Sequence, residues 1–111
     1  MIRIGPKCRL HGTRPELTIA LIVLDGILRK HGEVVMMISH GMDGVHTRAS
    51  IHYAGGAEDL VFAMLLDMAV KQQIVDEWKA SVGPDFDILF ENPGTSNEHA
   101  HVEYQPKEPY K

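Results

Sequence analysis

Two short stretches of this sequence combine histidine with carboxylates. One is Ser50-Ile51-His52-Tyr53-Ala54-Gly55-Gly56-Ala57-Glu58-Asp59, the other Glu98-His99-Ala100-His101. Imidazole and carboxylate are the side chains that hold a catalytic zinc, which takes three protein ligands and keeps a fourth position open for water or substrate. His52 and Asp59 lie seven positions apart with Gly55-Gly56 between them. A turn at the glycines would let both side chains reach one point. A third ligand must come from elsewhere, and in an extended strand His99 and His101 project to the same face, so either can border the site. Glu98 neighbours both and has the chemistry of a base toward a metal-activated water. Without a metal, the same His52 and Asp59 read as a satisfied buried pair.

The spacing carries a more specific signal. Ser50-x-His52-x-x-Gly55-x-Ala57-x-Asp59 matches at every fixed position the S-x-H-x-x-G-x-A-x-D signature of the zinc D-alanyl-D-alanine and L-alanyl-D-glutamate peptidases. Glu98-x-x-His101, set within His99-x-His101, resembles that family's second signature. The resemblance extends over residues 33–104, and the family shares its fold with the hedgehog signalling domain. It implies that His52, Asp59 and His101 bind Zn²⁺, that Glu98 is the catalytic acid/base, and that His99 lines the site beside the ligands or touches the transition state. Ser50 and Ala57 become packing positions or stand behind the ligands, and Gly55 a backbone requirement. Family members commonly carry an upstream arginine that holds the oxyanion or the substrate carboxylate; Arg48 is the nearest candidate here, with His46 beside it as the alternative.

The activity implied is hydrolysis of an amide bond in the stem peptide or cross-link of peptidoglycan. Zinc activates the water and polarises the carbonyl, Glu98 moves the proton to the departing amine, and a cation such as Arg48 steadies the oxyanion. The rival reading is a zinc-binding domain of the same fold without catalysis, acting in binding or as a virion component. Retention of Glu98 favours the enzyme, because a structural site needs no base.

These residues need elements to position them. Thr13-Arg14-Pro15-Glu16 has the form of a capping box with proline early in a helix, and Leu17, Ala20, Leu21, Leu24 and Leu28 follow at helical spacing, predicting a first helix over 14–31 that Gly32 stops. Residues 33–39 read as a buried strand, and 50–61 as strand-like at both ends. Val61, Leu65, Met68, Val75, Trp78 and Val82 predict a second helix over about 62–82, closed by Gly83-Pro84. Residues 86–91 and 99–104 read as strands and 1–12 as irregular or a short strand. Two helices packed on a small, mainly antiparallel sheet make an α+β domain. Met36, Met37, Met64 and Met68 are expected in the core, and Glu58, next to Asp59, in solvent.

Composition sets the outer bounds. With 111 residues the chain suits one domain, 44% hydrophobic residues fit a globular protein, and a net charge of −4 without a basic block argues against a nucleic-acid surface. The one cysteine, Cys8, rules out an internal disulfide framework and a cysteine-based zinc site. Arg3, Lys7, Arg9 and Arg14 ahead of the apolar run 17–24 superficially resemble a signal peptide, but Asp25 interrupts the run and no small-x-small cleavage site follows. A core helix is the better reading, and the run is too short for a membrane span. The expectation is a protein made in the cytoplasm and acting on the cell wall, in the style of phage-encoded enzymes, with no separate wall-binding domain.

Overall fold

In a computed structural model of the chain, residues 1–5, 14–40 and 56–106 are described. His46, Arg48 and His52, with Ser50, Gly55 and the expected strand start near residue 50, lie outside them, as do Cys8, His11, Thr13 and Tyr53. The described elements are β1 (Ile2–Ile4), α1 (Pro15–Lys30), β2 (Met36–His40), β3 (Ala57–Phe62), α2 (Met68–Val82), β4 (Phe86–Glu91) and β5 (His99–Tyr104). The five strands form one sheet in the order β1-β2-β3-β5-β4. β1 runs parallel to β2, and the three remaining pairings are antiparallel. A parallel neighbour needs a long crossover, and α1 supplies it between β1 and β2. The fold is therefore α+β with a small mixed sheet, the class that the order of elements predicts.

Strand alternation sorts the sheet into two faces. Met36, Ile38, Leu60, Ile88, Ala100 and Val102 point toward the helices and are buried with Leu17, Leu24 and Leu28 of α1 and Ile74, Val75 and Trp78 of α2. Trp78 closes this core: its indole is fully buried, and Nε1 donates to the Ala20 carbonyl of α1 at 2.9 Å. The intervening residues Ser39, Asp59, Val61, His99, His101 and Glu103 take the opposite face and are only partly covered. At the sheet's margin Gly5 donates to the Ile38 carbonyl at 2.9 Å, where a Cβ would sit 2.8 Å from that oxygen. Only glycine permits that approach.

Several expectations need correction. Residues 62–67 are not helical: β3 continues through Phe62 and α2 begins at Met68 after Asp67. Val61 therefore belongs to a strand and Leu65 is fully exposed, so neither lies on the buried face of α2. The residues mimic helical spacing across a strand and a loop. Met36 is buried as expected and Met37 partly covered, whereas Met64 and Met68 are exposed. α1 starts at Pro15, a first helical position that proline suits, with Arg14 at the cap making no side-chain cap bond; Thr13 of the expected capping box lies outside the described residues. β2 spans 36–40 rather than 33–39, and Glu33 instead occupies a left-handed turn with φ 60°.

Glu58 is the largest correction, being fully buried rather than solvated. Alternation puts its carboxyl on the helix side with Leu60, and among the described residues neither oxygen has a hydrogen-bond partner. Burial pushes its pKa up from 4.5 to about 7. A raised folded-state pKa means stability is highest below the unfolded value near 4.5 and is lost as pH rises through about 7. The metal-free protein should lose up to about 3 kcal/mol by this route, at 1.36 kcal/mol per unit. Urea unfolding at a series of pH values should show that slope in the parent and not in Glu58→Met, which should be the more stable protein at pH 8.

Candidate metal centre

Asp59 and His101 are register partners on the adjacent strands β3 and β5. Directly opposed residues on one face come within side-chain reach, and His101 Nδ1 lies 2.5 Å from Asp59 Oδ1. On the other side of Asp59, the pairing of β2 with β3 shifts between Ile38 and His40. This irregularity re-aims the β2 edge, as bulges beside sites often do, and Ser39 Oγ donates to the Asp59 carbonyl at 3.3 Å. Both side chains of the central pair are about 15% exposed, which shields their interaction from solvent.

The His101 ring is held at both ends, because Nε2 lies 2.6 Å from Glu103 Oε1. Burial works to lower the imidazole pKa, but hydrogen bonds to Asp59 and Glu103 and their charges outweigh it and raise the value to about 9. In the metal-free protein an imidazolium thus sits between two carboxylates, and the place calls for positive charge. One nitrogen and one oxygen donor from neighbouring strands, with a carboxylate on the ring's far nitrogen, is a donor set that suits Zn²⁺. Among the described residues no group of three or more such donors converges; the third ligand implied by the sequence, His52, lies outside them.

Asp59 also lines a cleft of about 390 Å³ together with Ser39, Asn92, Asn97, Glu98 and His99. Glu98 precedes β5 and is pinned by two donors: Lys71 Nζ of α2 at 2.7 Å from Oε2, and the Gly94 N–H at 2.9 Å from Oε1. Gly94 has φ +81°, a conformation that favours glycine. Burial raises the Glu98 pKa, but the Gly94 and Lys71 hydrogen bonds and the Lys71 charge prevail, and the net shift is downward. The carboxyl is therefore ionised at neutral pH. Having about four lone-pair sites, it keeps acceptor capacity for a water beyond these two donors.

His99 lies on the same face of β5 as His101 but is turned to other partners. Its Nδ1–H donates to the Asn97 carbonyl at 2.8 Å, and Nε2 lies 3.3 Å from Glu91 Oε1 on β4. The structure thus brings Asp59 and His101 into contact and sets Glu98 and His99 on the wall of the same cleft. Sequence reasoning missed Glu103 and Lys71. Glu103 was legible, since His99-x-His101-x-Glu103 alternates on one strand face; Lys71 reaches Glu98 from another element and carried no local signal.

Comparison with known protein families and with curated proteins finds no match for the chain.

The Lys71 contact makes a direct prediction. Replacing the ammonium in Lys71→Met should raise the Glu98 carboxyl pKa, read by carbon-detected NMR titration. The ion pair stabilises the fold above the unfolded carboxyl pKa and is lost as pH falls through the depressed folded value. The parent's stability should therefore drop more steeply on acidification than that of Lys71→Met.

Proposed function

We propose that this protein is a zinc-dependent peptidase that hydrolyses an amide bond of the peptidoglycan stem peptide or cross-link. The observation that carries the reading is the contact between Asp59 and His101. Two residues 42 positions apart, each singled out by its place in a separate motif, meet through Oδ1 and Nδ1 beside an open cleft. The motif resemblance supplies the substrate class, either a D-Ala-D-Ala carboxypeptidase or an L-Ala-D-Glu endopeptidase.

Asp59 and His101, with His52 as the third ligand, would hold the ion. When bound, zinc supplies Lewis acidity toward the scissile carbonyl and an activated water near neutral pH. The chain's own groups do the rest. Glu98, ionised and fixed by Lys71 and Gly94, accepts a proton and returns it to the departing amine. Burial is outweighed by the hydrogen bonds from Gly94 and Lys71 and by the Lys71 charge, which hold its pKa below the usual value, so it is ionised and able to accept at neutral pH. Asn92, Asn97 and Ser39 line the cleft with donors and acceptors suited to a peptide backbone. Arg48 or His46 would steady the oxyanion.

One observation favours a second reading, a zinc domain of this kind without catalysis. Both oxygens of Glu98 already serve Gly94 and Lys71, a use that would keep the residue for structural reasons alone.

Digestion of purified peptidoglycan by zinc-loaded protein, with products read by mass spectrometry, separates the two. Cleavage by the parent should fall by at least about 100-fold in Glu98→Gln at unchanged zinc content, the scale of general acid–base catalysis. One bound zinc with no cleavage of any muropeptide would replace the enzyme by the binding domain.

A further inference from the structure

We propose that Glu103 is the positioning residue of the metal centre, fixing the His101 ring through Nε2 so that Nδ1 is the nitrogen that faces the metal. The inference rests on the zinc reading above and goes beyond it, since neither sequence motif contains Glu103.

Four side chains form one hydrogen-bonded line across the open face of the sheet. Asp59 Oδ1 meets His101 Nδ1 at 2.5 Å, His101 Nε2 meets Glu103 Oε1 at 2.6 Å, and Glu103 Oε2 accepts from Gln105 Nε2 at 2.6 Å. His101 and Glu103 are two apart on β5, so the strand's own period holds them on one side. The two ring nitrogens point in roughly opposite directions, and an ion bound at one cannot also touch the other. The surroundings decide which nitrogen it takes. On the Glu103 side both carboxylate oxygens are occupied, one by the imidazole and one by the Gln105 amide. His101 and Glu103 also border a cavity of about 510 Å³, but the carboxylate that must share the ion, Asp59, stands 2.5 Å from Nδ1 and itself lines the cleft with Glu98. Glu103 accepting the Nε2–H leaves the Nδ1 lone pair for the metal, and metal-bound histidines commonly rely on such a partner for tautomer and ring orientation.

The test is metal binding by the full chain, read without reference to activity. Zinc affinity is measured by chelator competition, the Co²⁺ form by visible absorption, and the His101 tautomer in the zinc form by long-range ¹H–¹⁵N NMR. Circular dichroism of the metal-free variants reports the fold. The parent should bind one ion and show Nε2 protonated and Nδ1 metallated. Glu103→Ala should bind about 10–100-fold more weakly, with a changed Co²⁺ spectrum. Glu103→Gln, which keeps an acceptor oxygen and nearly the same shape, should recover part of the affinity. Equal affinity and identical spectra in the parent, Glu103→Gln and Glu103→Ala would overturn the role of Glu103 while leaving the zinc site standing. Metal on Nε2 would overturn it too, by making Glu103 a ligand. A parent that binds no zinc would overturn the zinc reading itself, and this inference with it.

Discussion

A carboxylate and an imidazole held face to face across two paired strands, Asp59 and His101, form the contact on which the reading of this molecule depends. Their meeting is a matter of register. If β5 slipped by one residue against β3, His101 would turn to the helix side and Ala100 would take its place. The register is held by what lies on the reverse face, where Leu60, Ala100 and Val102 are buried under α1 and α2. The hydrophobic core therefore fixes the polar pair as well as the fold, and the helices lie on the face of the sheet away from the pair.

Around that contact two carboxylates converge on one imidazole. Asp59 and Glu103 flank His101, and in the metal-free protein the imidazolium answers them. Glu98 stands apart from this group with a cation of its own, Lys71. The separation keeps two carboxylate settings distinct, one pair flanking the His101 ring and one residue ionised at the cleft wall. Neutral environments would not do this; the nearby donors and counter-charges set each group's protonation.

Much of this was legible in the sequence where local pattern and tertiary packing agree. β4 and β5 begin and end where their apolar alternation places them, and Trp78 fills the core as its helical spacing implies. The start of α2 was not legible, because Val61, Leu65 and Met68 reproduce helical spacing while the first belongs to β3 and the second to a loop. Glu58 misled for a different reason: a carboxylate beside a second carboxylate, Asp59, looks solvated, yet alternation alone would have paired it with Leu60 on the buried side. Contacts such as Lys71 with Glu98 join elements far apart in the chain, and no local pattern announces them. Asp59 with His101 joins equally distant elements and was found only because each half sits in a recognisable motif.

The most direct measurement is diffraction from zinc-soaked crystals at wavelengths on either side of the zinc absorption edge. A single anomalous peak should lie about 2.0–2.2 Å from the Asp59 carboxylate and from His101 Nδ1, with His52 as the third ligand. No peak at that position, or one held by residues other than Asp59 and His101, would contradict the assignment of this pair as a metal site.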